Sequence, residues 1–243
     1  MATFGGSNIV TDGLVLWLDA ANRKSYPGSG TSWLDLSGNN NTGTLTNGPT
    51  FSSANNGSIV FDGVDDSISV LNNSSLNFGT NPFTVSVILY IRRSGLFGSR
   101  EYGIINKNAT FQSSAGWGME LSTYGSTSPF DLINYQFYNT GQSVWGNSNT
   151  SIQVPTNTWF QITGIRNSTN ASLYYNGVLT TEKSSSDMGL SVTNATNIVM
   201  GYNSWGVYFP GNIALTQIYN RALSAQEVQQ NYDALKSRYL NIY

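Results

Sequence analysis

The stretch "FTVSVILYI" (residues 83–91) sets Phe83, Val85, Val87 and Leu89 against Thr84, Ser86, Ile88 and Tyr90. A period of two puts one apolar set on a single face of an extended chain, the pattern of a β-strand packed on a core. Shorter runs of the same kind lie on both sides of it: "LVLWLDA" (14–20), "SIVFDG" (58–63), "DSISV" (66–70), "GIINK" (103–107), "WGMELSTY" (117–124) and "DLINYQFY" (131–138). They continue with "TWFQITGIRN" (158–167), "ASLYYNG" (171–177), "NIVMGY" (197–202) and "GNIALTQIYN" (211–220), each bounded by Gly, Asn or Ser. Short strands at this spacing predict an all-β sandwich or barrel. Asn176-Gly177, between "YY" and "VLTT", suits a type I′ hairpin turn, where both central residues need positive φ. Residues 22–57 read as one long loop, punctuated by Trp33, Leu34 and Leu36.

The chain then changes period. In "NRALSAQEVQQNYDALKSRY" (220–239), Ser224 is an N-cap candidate and Glu227, three residues on, completes a capping box. Leu223 and Val228 occupy the positions of a hydrophobic staple, and Val228, Tyr232 and Leu235 share one helical face. A helix this short is marginal alone, so it is expected to dock on the sheets and cover apolar surface that they leave open.

Composition narrows the function classes. The chain has 243 residues, 10% of them charged, with a net charge of −2, and no basic patch is visible. Nucleic acid and anionic membrane are therefore not expected as partners. No apolar window approaches the ~20 residues of a membrane helix. There is no cysteine and no histidine, which excludes disulfides, Cys/His zinc sites and Ser-His-Asp or Cys-His hydrolysis. The opening "MATFGGSNIV" lacks a basic region followed by an apolar run, so no export signal is expected there.

Several segments carry a family resemblance. "TWFQITGIRNSTNASLYYNGVLT" (158–180) and "IVMGYNSWGVYFPGNIALTQIYNRALSAQEVQQNY" (198–232) resemble the laminin-G-like group of the concanavalin A-like lectin/glucanase superfamily. "GLVLWLDAAN" (13–22), "SWLDLSGNNNTGTL" (32–45) and "SIVFDGVDDSISV" (58–70) are similar to laminin-G-like segments found in tailed-phage structural proteins and bacterial surface proteins. The "YNRALS…E" ending is the most specific element. The resemblance implies a jelly roll of two curved antiparallel sheets with one short C-terminal helix. The domain would span residues 12–243, after an extended arm at 1–11. It implies carbohydrate or protein recognition more often than catalysis, and often one calcium ion near the rim. Fold does not fix function, so the candidate sites must be weighed residue by residue.

A sandwich glucanase needs two nearby carboxyl groups. None of Glu101, Glu120, Glu182 and Glu227 has an acidic residue two positions away, and the E-x-D-x-E pattern of the glucanase branch is absent, so no enzyme is expected. Asp62, Asp65 and Asp66 are the one acidic cluster. They are either calcium ligands or the carboxylates of a tight Asp-Gly turn. Ala214 stands where many relatives carry an acidic residue, which favours the turn. For a glycan, the candidates are Trp145 and Trp205, each beside Gly and Asn in an expected loop. Tyr124, Tyr202 and Tyr208 are weaker members of the set, and Asn147 and Asn203 are candidate hydrogen-bonding groups. Trp17, Trp33, Trp117 and Trp159 lie in apolar runs or family-like positions and are assigned to packing. The expectation is a non-enzymatic structural or adhesion module on a virion surface: a phage capsid decoration, fibre or tail component made in the host cytoplasm. Other virion proteins and glycans would be its partners, a homo-oligomer is compatible, and the N-terminal arm could add a strand to a neighbour. The alternative is a lectin domain of a bacterial surface or secreted protein. A sandwich glycosidase is the third class.

Overall fold

The computed structural model describes residues 8–92, 100–107, 115–123, 130–138, 150–184, 186–203 and 205–239. The strands are, in chain order, β1 (Leu14–Asp19), β2 (Ser32–Trp33), β3 (Gly43–Thr46), β4 (Thr50–Ser52), β5 (Ser58–Asp62), β6 (Ser67–Val70), β7 (Phe83–Ile91) and β8 (Glu101–Lys107). They continue as β9 (Gly116–Ser122), β10 (Phe130–Tyr138), β11 (Thr150–Pro155), β12 (Trp159–Arg166), β13 (Asn170–Tyr175), β14 (Val178–Ser184), β15 (Ile198–Met200) and β16 (Pro210–Tyr219). One helix, α1 (Ala225–Tyr239), closes the chain. No helix among the described residues is long and apolar enough to cross a membrane.

The strands form two antiparallel sheets. The first runs β14-β13-β12-β7-β16-β5-β4, with β1 also paired to β16; the second runs β11-β10-β9-β8-β15-β6-β3-β2. The chain is thus an all-β jelly-roll sandwich with a C-terminal helix. Phe83, Val85, Val87, Leu89 and Ile91 of β7 face Trp117, Met119, Leu121, Ile133 and Tyr135 of the second sheet in one core. Trp33 and Trp117 are fully buried in it, the packing role assigned to them. Asn176 and Gly177 have φ of 49° and 82°, the two positive values that the β13–β14 hairpin turn requires.

Residues 22–57 are less loop-like than their composition suggests. They contribute β4, the edge of the first sheet, and β3 and β2, the last two strands of the second. Strands of two to four residues are too short for alternation to register in the sequence.

The first sheet is buried on both sides. Opposite the core face, Ile88, Ala214 and Leu215 meet Leu235 and Tyr239 of α1, with Trp17, Trp159 and Tyr232 packed at the margin. A second patch joins Val10, Leu14, Ile165, Tyr174 and Tyr219 to Leu223 and Val228. The helix therefore covers the outer face of the first sheet, as its amphipathic pattern predicts. Its capping box is formed: Glu227 N donates to Ser224 Oγ (3.3 Å) and Ser224 N donates to Glu227 Oε2 (2.8 Å). Arg221 donates to both oxygens of the same carboxylate and holds its pKa down to about 2.

The buried helical set differs from the expected one. It is Val228, Asn231, Leu235 and Tyr239, with Tyr232 only half-buried. Asn231 belongs there because its amide closes a polar triangle. Its Oδ1 accepts from Val10 N (2.7 Å), its Nδ2 donates to Tyr219 Oη (3.0 Å), and that hydroxyl donates to Val10 O (3.0 Å). Gln230 Nε2 donates to Asn8 O, so residues 8–10 lie against α1. At the far end Arg238 and Tyr239 both donate to Asp19, which is fully buried.

Removing the helix contact should be costly. Leu235→Ala is expected to lower unfolding free energy by about 2–5 kcal/mol, and Ser224→Ala by about 1 kcal/mol. Urea denaturation measures both, and an unchanged midpoint for Leu235→Ala would contradict the docked position.

Candidate functional site

The second sheet treats its outer face differently. On β9, Trp117, Met119 and Leu121 point into the core, so Gly118, Glu120 and Ser122 point out. By the same alternation, Asn134 and Gln136 of β10 share that outer face. Pairing of β8 with β9 sets Glu101 opposite Ser122 and Gly103 opposite Glu120. Glu101 and Glu120 are therefore diagonal neighbours on one face, roughly 7–8 Å apart along the backbone.

Gly103 admits the loop that completes the site. A Cβ there would lie 2.2 Å from the backbone carbonyl of Tyr202 and 2.5 Å from Asn203 N. The backbone of residues 202 and 203 thus crosses directly over β8, and any side chain at 103 would push it off. Asn203, fully buried, shapes the loop: its Oδ1 accepts from Trp205 N and Val207 N (both 3.1 Å), and its Nδ2 donates to Glu101 O (2.6 Å). Tyr202 and Tyr208 pair across the loop base, rings 5.4 Å apart, and Asn106 Nδ2 donates to Tyr202 O. This scaffold holds Trp205 out with 62% of its surface exposed.

Between Trp205 and the strands lies a cavity of about 400 Å³, lined by Arg100, Glu101, Ser122, Thr123, Asn203 and Trp205 among others. That volume lies within the roughly 300–1,000 Å³ of small-molecule sites. An exposed indole face beside polar groups can stack the apolar face of a sugar ring while the polar groups bond its hydroxyls.

Behind the cavity, outside its lining, sits a buried carboxyl. Glu120 is 3% exposed, and its Oε2 has no hydrogen-bond partner among the described residues. Burial, and then the charge of Glu101, push its carboxyl up to about 8. Burial also raises Glu101, against a hydrogen bond from Ser122 that lowers it. Of the two, Glu101 lines the cavity, and a carboxyl raised by desolvation in a cleft marks a functional-site candidate.

Sequence reading missed this pair. It searched for acids two residues apart on one strand, whereas these two meet across a ladder. Among the other candidates, Tyr202, Tyr208, Asn203 and Trp205 come together in one loop, with Asn203 spending its amide oxygen on loop N–H groups. Trp145, Asn147 and Tyr124 lie outside the described residues. Trp17 and Trp159 sit beneath α1, in the packing role expected of them.

The acidic cluster sits elsewhere, where the chain crosses from β5 in one sheet to β6 in the other. Asp62 Oδ1 accepts from Val64 N (2.7 Å), and Asp66 Oδ2 accepts from Asp62 N (2.9 Å). One oxygen from each of Asp62, Asp65 and Asp66 lies within 4.8 Å of the others, so they are the residues that would hold a hard cation. Two of the three carboxylates already serve backbone N–H groups, as a turn requires. Ala214 is buried under α1 and offers no further ligand.

Glu120 gives this site a pH signature. Its folded pKa lies above the unfolded value of 4.5, so its contribution to stability is complete below 4.5 and is lost as pH rises through about 8. Glu120→Gln should remove that loss: urea midpoints of variant and parent should diverge in the variant's favour between pH 4.5 and pH 8. Parallel pH profiles would contradict the buried carboxyl. Gly103→Ala should lower stability and shift Trp205 fluorescence by displacing the loop.

Comparison with known proteins fits this architecture. No curated protein sequence is significantly similar to the chain. Solved structures are similar in fold. The binding domain of Paraclostridial Mosquitocidal Protein 1 superposes with a TM-score of 0.67 at 20% identity, covering 91% of this chain and 52% of that one. The botulinum neurotoxin serotype D ligand-binding domain, solved with N-acetylneuraminic acid, gives 0.68 at 19% identity, covering 92% and 51%. The botulinum neurotoxin DC binding domain, solved with rat synaptotagmin II, gives 0.66 at 17% identity, covering 93% and 52%. The chain spans about half the length of these binding domains. Residues 61–229, most of the chain, match the Laminin_G_3 profile, and the protein therefore belongs to the concanavalin A-like lectin/glucanases superfamily.

Proposed function

We propose that the chain is a non-enzymatic recognition module that contacts glycans through the Trp205 cavity. One observation carries this reading: a large aromatic, 62% exposed, is held over a cavity of about 400 Å³ that Glu101 and Ser122 also line, by a loop whose own hydrogen bonds fix its shape. Exposed aromatics on rigid supports are the usual anchors of binding surfaces. The Glu101–Glu120 pair argues less for catalysis than its proximity suggests. Hydrolysis needs both carboxyls to reach the substrate, whereas Glu120 is 3% exposed and lies outside the cavity lining.

The setting we propose is a virion surface, as a phage capsid decoration, fibre or tail component, with other virion proteins as partners. The similarity of residues 13–70 to tailed-phage segments and the scarcity of charge support it. The second reading, a lectin domain of a bacterial surface or secreted protein, draws support from the fold shared with the botulinum neurotoxin serotype D ligand-binding domain, solved with N-acetylneuraminic acid.

A glycan array tests the shared part. Saturable binding is expected, weakened at least about tenfold in Trp205→Ala. Absence of binding to any glycan, together with tight binding to a capsid or tail protein, would reduce the role to a structural one. Release of sugar from a polysaccharide panel would replace binding by hydrolysis. Mass spectrometry of purified virions decides between the two settings.

A further inference from the structure

Beneath α1 the first sheet carries polar side chains among its apolar ones. The ladder sets Trp17 opposite Gln217, Gln217 opposite Ser86 and Ser86 opposite Thr163, one row across β1, β16, β7 and β12. The next row is Asp19, Leu215, Ile88 and Gln161. Ile88, Leu215 and Trp17 pack against the helix, so by alternation and register Gln217, Ser86 and Gln161 share its side of the sheet. Gln217 and Gln161 are 0% and 1% exposed. Both amide atoms of each, and the Trp17 indole nitrogen, are buried with no hydrogen-bond partner among the described residues. Ser86 and Thr163 bond each other (2.8 Å), which uses one of their two hydroxyl hydrogens. The buried helix residues above do not supply the partners. Val228 and Leu235 are apolar, and both ends of the Asn231 amide are engaged by Val10 and Tyr219.

Five buried polar atoms left bare are costly, and a native structure that retains them calls for an explanation. A metal ion does not supply it. The one carboxylate in these two rows, Asp19, is already taken by Arg238, Tyr239 and Ala21 N. An apolar occupant would satisfy none of the five. Water has two hydrogens to give and two lone pairs to receive, and the five atoms are a mixture of N–H donors and carbonyl acceptors. Buried water commonly bridges about three such groups. Gln217 and Gln161 flank β7, each one strand spacing of about 4.8 Å away from it. Only the small side chain of Ser86 stands between Gln217 and Thr163 in their row. We infer that the interface between α1 and the first sheet is a hydration site. Ordered water there bridges the Gln217 and Gln161 amides, the Trp17 indole N–H and the Ser86–Thr163 hydroxyl pair. It ties four strands together beneath the helix, where the apolar contacts of α1 alone leave polar groups unpaired.

A high-resolution crystal structure of the full chain, with urea denaturation of two variants, tests it. Ordered solvent density is expected within hydrogen-bond distance of at least two of the five buried atoms. Gln217→Met keeps an unbranched side chain of similar length and removes its polar atoms. With water in place, that change strips the water of partners, and the urea midpoint should fall. Without water, it removes two orphaned atoms, and the midpoint should rise. Gln161→Met is the second variant, with the same expected fall. Gln226→Met, exposed on α1, should leave the midpoint unchanged. Amides that bond each other or Trp17 directly, with no density between them, would overturn the inference. So would a midpoint that is raised or unchanged in both buried variants.

Discussion

A sheet with large apolar side chains among the residues of both faces needs two covers, and a two-layer sandwich supplies only one. This constraint organises the molecule. Strand β7 is buried along almost its whole length, and the adjacent β16 pairs with β5 and β1 along its other edge. Inward residues of β7 build the core, while Ile88, Ala214 and Leu215 would face water without α1. The capping box, the Arg221–Glu227 pair and the Asp19 contacts of Arg238 and Tyr239 fix both ends of the covering helix. Glu227, held near a pKa of 2, stabilises the folded chain above its ordinary value of 4.5, and that support fades as pH falls toward 2.

With the first sheet sealed on both sides, the described part of the second sheet carries the polar outer face. There the ladder brings Glu101, Glu120 and Ser122 together, and the absence of a side chain at Gly103 lets the backbone of residues 202 and 203 lie on the strand. Rigidity of this support matters for recognition. A loop whose buried Asn203 bonds Trp205 N, Val207 N and Glu101 O presents its indole at little entropic cost on binding.

What the sequence made legible was local. The capping box at Ser224 and Glu227, the Asn176-Gly177 turn, the alternation in residues 83–91 and the packing of Trp33 and Trp117 each depend on neighbours within a few positions. What it hid was set by pairing between distant segments. Asn231 looks like a surface residue until Val10 and Tyr219 arrive beside it. Glu101 and Glu120 are nineteen positions apart and meet only through the β8–β9 register. Gly103 has the look of an ordinary strand glycine until the Tyr202 backbone is placed upon it. Trp205 was readable because an aromatic in a Gly- and Asn-rich loop needs a reason at any tertiary arrangement.

The central claim is that ligand contact occurs on the outer face of the second sheet, under Trp205. Mapping amide and indole shifts by NMR during titration with a bound glycan tests it most directly. The account predicts perturbations concentrated at Glu101, Ser122, Thr123 and the Trp205 indole, with the 62–66 turn silent. Shifts confined to Asp62, Asp65 and Asp66, or to the groove beside α1, would contradict it.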